Sequence, residues 1–193
     1  LKEAWGHNYV KNINKLRTAV NETLDEYLEY NNSIVDAMFF STSNGYTEDS
    51  QNVFNFPCDY LKSVDSPWDS EVSSAYLTNK TISLKEFYEK LNLPYSKNLN
   101  VEIIKRSSTN RILLLKINDH EFKGTDLYNK LSLRSTDFTL ELNGDNIKIT
   151  MKGYGHGVGM SQYGALGMAK KGYTYQEILK HYYPNTNITK LKN

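Results

Sequence analysis

Hydrophobic residues recur with helical spacing near the start of the chain and with strand-like patterns further on. Between residues 8 and 20 the apolar positions lie three or four apart, which predicts an amphipathic helix. Residues 27–30 and 33–40 are rich in β-forming side chains and flank Asn31-Asn32, a two-residue turn signal. This pattern predicts a β-hairpin directly after the helix.

The rest of the chain alternates short helical and strand-like segments. Capping-box spacing begins two helices, at Ser83 and at Thr174. Residues 51–76 contain two prolines and little periodicity, so we expect an irregular loop there, and a solvated turn at 118–121. The other predicted elements are helices at 125–131 and 161–171, strands at 101–107 and 111–117, and a hairpin of strands 138–142 and 147–151. Together they predict an α+β fold of antiparallel strands, hairpins and several short helices, as a single domain over residues 1–193.

Composition narrows the class of protein. The chain of 193 residues has a net charge of +1 and no polybasic block, so nucleic acid is not an expected partner. Cys58 is the one cysteine, which excludes an intramolecular disulfide and a cysteine-based metal site. The four histidines lack ligand spacing, so no metal site is expected.

No apolar run reaches the length of a membrane span. The sequence begins at Leu1 as though within an element, and we expect any signal or anchor to lie upstream.

The most distinctive segment is GYGHGVGMSQYGA, from residue 153 to 165. Glycine at every second position weakens a strand and permits close approach, so the segment predicts a glycine-rich turn that leads into a helix near Ser161. His156 in this turn either lines a ligand site or bonds to a backbone carbonyl. The hydroxyl-rich residues 41–47 likewise either bind a glycan or peptide or cap a turn.

Candidate acid–base residues are less well defined. Several aspartates fall in loop-like stretches, and the sequence does not match any two of them into an acid–base pair. Asp65-Ser-Pro-Trp-Asp69 is the most distinctive of these stretches, with Trp68 as either a sugar platform or a core side chain. No serine-hydrolase motif is present.

Together these segments resemble the stage II sporulation protein D family, which includes amidase-enhancer proteins. The resemblance rests on FFSTSNGYTEDSQNVF, YLKSVDSPWD and the stretch from LRSTDF to HYYP, and it extends over nearly all of residues 12–190. It implies peptidoglycan processing during sporulation, in septal wall thinning and engulfment, by a lytic transglycosylase domain that acts on denuded glycan strands. Such an enzyme cleaves the strand between N-acetylmuramic acid and N-acetylglucosamine and leaves 1,6-anhydro ends.

One departure from the family pattern bears on catalysis. The family's catalytic glutamate lies in an N-terminal E-x-P-like segment that residues 1–193 do not contain, and Glu3 lacks that context. We therefore expect the chain to be the C-terminal part of the catalytic domain and inactive alone. Zinc, which some members bind through cysteine and histidine of the same segment, is expected only upstream of Leu1.

The resemblance also implies partners and a location. The expected partners are peptidoglycan glycan strands, a cell-wall amidase and a membrane protein of an engulfment complex. The expected location is extracytoplasmic and cell-wall facing, with the parent protein anchored by an upstream segment. Two alternatives stay open: a non-catalytic glycan-binding or amidase-enhancing module, and a structural interaction domain.

The substrate-binding residues come from the family motifs, matched position by position. His156 and Gln162 are expected to face one groove with Ser41 and Ser43. Arg134 is expected to pair either with a substrate acyl or lactyl group or with an internal acid. The full predicted set is Ser41, Ser43, Gly45, Tyr46, Arg134, Tyr154, His156, Gly157, Ser161 and Gln162.

Overall fold

The computed structural model describes residues 1–191, which form short helices and strands in alternation. The helices are α1 Lys2–Trp5, α2 Tyr9–Glu22, α3 Ser50–Phe54, α4 Asp69–Val72, α5 Leu84–Leu91, α6 Gly124–Lys130, α7 Gln162–Lys170 and α8 Tyr175–Tyr182, with one 3₁₀ turn at Gly6–Asn8. The strands are β1 Glu26–Tyr30, β2 Ser33–Ile34, β3 Phe39–Phe40, β4 Leu77–Ser83, β5 Val101–Arg106, β6 Ile112–Ile117, β7 His120–Lys123, β8 Phe138–Asn143, β9 Asn146–Lys152, β10 Met160–Ser161 and β11 Asn187–Lys190. The predicted α+β class is confirmed.

The chain divides into two compact units, one of which holds residues 1–35 and the chain from Thr186 onward. That unit contains α2 and a three-stranded antiparallel sheet in the order β11–β1–β2. Asn31 and Asn32 both adopt positive φ, as the tight turn of a hairpin requires, so the hairpin is confirmed. Its second strand ends at Ile34, however, and does not extend to residue 40 as predicted. The assignment of residues 1–193 to one domain stays a prediction.

The second unit, residues 36–185, has its core on two three-stranded antiparallel sheets. One has the order β4–β9–β8, and its β8–β9 pair is the hairpin predicted around residues 143–146. The other has the order β5–β6–β7: residues 118–119 form a turn, as predicted, whereas residues 120–123 form an edge strand, so the expected turn at 118–121 is shorter than predicted. Helices α5 and α6 cover the core, whose most buried side chains include Phe87, Leu115, Leu127, Ile147 and Ile149.

A short parallel strand pair joins the two predicted site segments. Strands β3 and β10 pair with Phe39 opposite Met160 and Phe40 opposite Ser161. Within residues 1–191 every other pair of strands is antiparallel. This pair places the hydroxyl-rich loop after β3 against the glycine segment before β10.

The stretch expected to be an irregular loop, residues 51–76, contains helical turns. Helix α3 has five residues and α4 has four, and neither is long enough for a helical period to show in the sequence. By contrast the capping residues of the longer helices behave as predicted: the Ser83 and Thr174 hydroxyls each accept a backbone N–H at the third helical position. None of the helices formed by residues 1–191 combines the length and the apolar composition needed to cross a bilayer.

Candidate functional site

The four glycines of the segment 153–159 all adopt a left-handed backbone, with φ between +78° and +114°. The predicted glycine-rich turn into a helix is therefore confirmed. At each of these glycines a Cβ would lie less than 3.0 Å from another group, and two of them illustrate this. A Cβ on Gly159 would lie 2.0 Å from the carbonyl oxygen of Met38, and a Cβ on Gly157 would lie 2.8–2.9 Å from the guanidinium of Arg111.

Both ring nitrogens of His156 bond to the backbone. Nε2 donates to the carbonyl of Phe39 at 3.1 Å, and Nδ1 accepts from the N–H of Val158 at 3.0 Å. The rings of Phe40 and Phe54 lie on the imidazole at centroid distances of 5.8 and 5.5 Å. Burial lowers the pKa of His156, and the nearby charge of Arg111 lowers it further, while the bond to Phe39 opposes the shift. The imidazole is therefore neutral at pH 7 and offers a ligand its carbon edge and ring face.

The hydroxyls of Ser43 and Ser161 belong to a buried network around Asp69. One carboxylate oxygen of Asp69 accepts from the Ser43 N–H at 2.8 Å and from the Ser161 hydroxyl at 2.5 Å. The other accepts from Ser66, whose hydroxyl also meets the phenol of Tyr182 at 2.7 Å. The Ser43 hydroxyl itself donates to the carbonyl of Ser66. This network fixes the loop after β3 to the start of α7.

A second buried network lies behind the glycine segment and centres on Glu48 and Arg111. One oxygen of Glu48 accepts from Ser107 at 2.5 Å and from Thr109, and it lies 4.0 Å from Nη1 of Arg111. The other oxygen accepts from the backbone of Asp49 and from the amide of Asn52 on α3, at 2.9 and 2.8 Å. The backbone N–H of Glu48 donates to the carbonyl of Gly157. Glu48 thus holds both α3 and the glycine segment.

Helix α3 and the glycine segment line the same open cavity, which we call the His156 cavity. It has a volume of about 550 Å³, within the range of small-molecule sites. Its apolar side chains come from α3, β6 and α6, and amides, hydroxyls and two lysines surround them. The lining is Gln51, Asn52, Val53, Phe54, Asn55, Lys105, Ile112, Leu113, Leu114, Lys123, Thr125, Tyr128, Asn129, Thr136, Gly155 and His156. No described residue in this lining is a carboxylate.

Two further cavities contain other predicted site residues. Arg134 lines a cavity of about 420 Å³ with Leu77, Thr78, Asn79, Lys80, Ser132 and Met151, which we call the Arg134 cavity. Its guanidinium lies 5.1 Å from the ring centroid of Tyr154. Gly45 and Tyr46 line a third cavity, of about 290 Å³, with Asn44, Asp65, Pro67, Ser70 and Tyr76.

The structure does not bring the predicted residues together in one groove. Ser43, Gly157 and Ser161 are buried behind the surface, and Ser41 is half-buried beside the bridge between Thr42 and Tyr154. Gln162 is exposed and lines none of the three cavities. Their roles as substrate contacts stay predictions, whereas the geometry of Ser43 and Ser161 is that of internal hydrogen-bonding groups.

Sequence reasoning missed the residues that hold the site together. Glu48 and Arg111 stand in no recognisable motif, because their partners are distant along the chain. Asp69 was considered only as a member of an acid–base pair, and the structure makes it an internal acceptor. Trp68 is half-buried, and its ring centroid lies 5.2 Å from that of His181. Its two readings, as a sugar platform and as a core side chain, both stay predictions.

Metal binding has no geometric support within the described residues. Residues 1–191 contain no group of three histidine, cysteine, aspartate or glutamate side chains arranged to hold an ion. Zinc binding through residues upstream of Leu1 stays a prediction.

Comparison with known proteins places the chain among sporulation proteins. Stage II sporulation protein D of Bacillus amyloliquefaciens is 44% identical over 98% of the chain and 55% of its own length. The protein of the same name from Bacillus subtilis is 43% identical over the same shares. The chain is a homologue of stage II sporulation protein D. An amidase enhancer of Bacillus subtilis is 28% identical over 95% of the chain and 33% of its own length.

The alignments cover nearly all of this chain but only part of each relative. The chain spans about half the length of the curated stage II sporulation protein D relatives, although almost all of its own residues align. No protein-family model matches the chain. The family resemblance inferred from the glycine–histidine segment and the hydroxyl-rich loop is confirmed by this homology.

Proposed function

We propose that the chain binds glycan strands of peptidoglycan in the His156 cavity, as part of a sporulation protein that processes the cell wall. The composition of this cavity carries the proposal. Sugar rings present apolar faces and polar edges, and the cavity presents Phe54 and Tyr128 together with amides and hydroxyls. His156 is neutral and presents its carbon edge and ring face to the cavity, which suits an uncharged N-acetylated sugar. The homology to stage II sporulation protein D supports the biological setting.

The chemistry proposed for the whole protein is lytic transglycosylation. A carboxylic acid protonates the glycosidic oxygen, and the resulting carboxylate accepts the proton of the muramic C6 hydroxyl as that oxygen closes on C1. Glu48 and Asp69 are unsuited to this role because each accepts several hydrogen bonds inside the protein. In this proposal the chain holds the sugar, and the acid comes from a part of the whole protein outside residues 1–191.

The same proposal assigns a location and partners. A protein that acts on peptidoglycan works outside the cytoplasm and faces the cell wall, anchored through a segment outside this chain. A cell-wall amidase and a membrane protein of an engulfment complex are its proposed partners. The similarity to an amidase enhancer favours a second candidate function, in which the glycan-bound chain stimulates an amidase without cleaving glycan.

Binding is tested with denuded glycan strands and with one pair of matched variants. Phe54, which is 38% exposed, lines the His156 cavity, whereas Phe39, which is 57% exposed, does not. Phe54→Ala is expected to weaken retention on denuded glycan by about tenfold, through loss of an aromatic contact. Phe39→Ala keeps its backbone bond to His156 and is expected to bind as the wild type does. Equal binding by both variants, or no retention of the wild type, would refute the proposal.

Catalysis is tested by comparing this chain with a version extended upstream of Leu1. Both are incubated with amidase-treated peptidoglycan, and the products are separated by mass. Anhydro-muropeptides are expected from the extended protein and not from the chain alone. Their absence from both samples, together with stimulation of an added amidase, would favour the enhancer function instead.

A further inference from the structure

The third cavity, which Gly45 and Tyr46 line, brings an aromatic ring and a carboxylate together at the surface, and we call it the Tyr46 cavity. We propose that it binds the ammonium group of an amino sugar, that is, of a glucosamine residue whose nitrogen carries no acetyl group. The Tyr46 cavity shares no lining residue with the His156 cavity. The inference rests on the proposed function only in the choice of a sugar as the carrier of the ammonium.

Tyr46 and Asp65 lie opposite each other in an isolated antiparallel bridge. Two backbone hydrogen bonds flank this bridge, at 2.9 and 2.8 Å: Thr47 N–H to the carbonyl of Val64, and Ser66 N–H to the carbonyl of Gly45. Tyr46 and Asp65 are therefore a non-hydrogen-bonded pair, the kind in which opposite side chains lie closest. Both residues are exposed and both line the cavity, so the phenol ring and the carboxylate lie side by side there.

The carboxylate of Asp65 forms no ion pair within residues 1–191. Two basic side chains reach the bridge, but both bond to backbone carbonyls. His181 Nε2 lies 2.6 Å from the carbonyl oxygen of Asp65, and Arg111 donates to the carbonyl of Tyr46 at 3.1 Å. No lysine, arginine or histidine is among the described residues that line the cavity. The negative charge of the cavity is therefore open to a cation from solvent.

A second acceptor in the cavity lining is buried and has no partner. Asn44 is 8% exposed, and its side-chain nitrogen donates to the carbonyl of Thr109 and to the carboxylate of Asp137, both at 2.8 Å. These two bonds fix the orientation of the amide and leave its Oδ1 without a hydrogen-bond partner in the described part of the chain. Buried polar atoms are rarely left unsatisfied in folded proteins, so this oxygen is suited to accept from a bound donor.

The remaining lining matches an ammonium carried on a sugar ring. An ammonium has three donors and no acceptor, and the hydroxyl of Ser70 adds an acceptor to the two described above. The rings of Tyr46 and Tyr76 attract a cation through their faces and, with Pro67, offer apolar surface to a pyranose. The volume of about 290 Å³ is near the lower end for small-molecule sites. An N-acetyl group would replace the cation with a neutral amide that has one donor, so the cavity favours the free amine.

The test compares the methyl β-glycosides of glucosamine and N-acetylglucosamine, which differ by the acetyl group. Each is titrated into the isotope-labelled chain at about pH 6, where an ordinary amine is protonated, and NMR follows the amide of Gly45. The glucosaminide is expected to bind about tenfold more tightly, as a charge-assisted hydrogen bond predicts. Asp65→Asn is expected to reduce this preference to within about twofold. Asp119→Asn removes the same charge from an exposed turn outside the cavity and is expected to keep the preference.

The outcomes separate this inference from the proposed function. Equal binding of the two glycosides by the wild type would overturn the ammonium site and leave retention of denuded glycan by the His156 cavity intact. Loss of that retention with an unchanged glucosaminide preference would overturn the proposed function alone. If butylamine, an ammonium without a sugar, binds as tightly as the glucosaminide, the cavity recognises no sugar and the inference is wrong. Should Asp65→Asn unfold, Tyr46→Leu tests the same preference, and its full retention there would also refute the site.

Discussion

Replacing Gly157 with alanine is expected to destabilise residues 36–185 much more than the same replacement at Gly172. The two glycines have nearly the same φ, +88° and +92°. They differ in their surroundings, because a Cβ on Gly172 meets nothing within 4 Å, whereas one on Gly157 meets three atoms of the Arg111 guanidinium. The comparison therefore separates the conformational cost of alanine from the cost of moving Arg111.

The size of each cost follows from the structure. A left-handed backbone costs an L-residue about 1–2 kcal/mol, and this is the whole effect expected at Gly172. At Gly157 the new methyl group also displaces a buried guanidinium that donates to Thr109 and to the carbonyl of Tyr46, at 2.9 and 3.1 Å. Loss of a hydrogen bond to a charged group costs about 1.5–3 kcal/mol, so Gly157→Ala is expected to cost about 3–5 kcal/mol in all.

The free energy of unfolding is measured by urea denaturation, followed by circular dichroism. Since small domains are stable by only about 5–15 kcal/mol, the expected loss is a large fraction of the total and shifts the midpoint clearly. A loss at Gly157 no greater than that at Gly172 would refute the close packing of the glycine segment on Arg111.

Three other changes test the buried groups of the site. The pKa of His156 is lowered from its ordinary value of 6.5. The stability that this residue contributes is therefore complete at a pH above 6.5 and is lost as the pH falls. The urea midpoint of the wild type should thus fall more than that of His156→Gln between about pH 7.5 and pH 5.5. Asp69→Asn leaves a buried donor unmatched and is expected to cost about 2–4 kcal/mol in urea denaturation, while Asp145→Asn, in an exposed turn, should cost almost nothing. In Gly164→Ala the new Cβ would lie 2.0 Å from the Tyr182 hydroxyl. The substitution should therefore lower the melting temperature, although alanine normally stabilises a helix by about 1 kcal/mol relative to glycine.

The sequence predicted the elements whose signals are local. The turns at Asn31-Asn32 and at residues 143–146 specify hairpins through a few adjacent residues, and Ser83 and Thr174 specify helix starts in the same way. Helices of four or five residues and the edge strand β7 were missed because they are too short to complete a period.

The site was less predictable because its contacts join distant parts of the chain. The glycine pattern correctly indicated a tight turn before a helix. It could not indicate that His156 bonds to Phe39, a residue 117 positions away, and so presents no free nitrogen. The same limit applies to Glu48, which accepts from Thr109 across 61 positions, and to Ser43, whose N–H donates to Asp69 across 26 positions.

The parallel pairing of β3 with β10 has a consequence for the order of folding. Ser41 and Ser161, which meet beside this pair, are 120 residues apart, and contacts of such long range form slowly because a large loop must close first. The β5–β6–β7 sheet and the β8–β9 hairpin join strands that are neighbours in sequence, so they can assemble before this closure occurs. The wall that the glycine segment contributes to the His156 cavity therefore forms in a late step of folding, and a ligand bound there would stabilise that step by mass action. A ligand of the cavity would then also help to complete the native state of the protein.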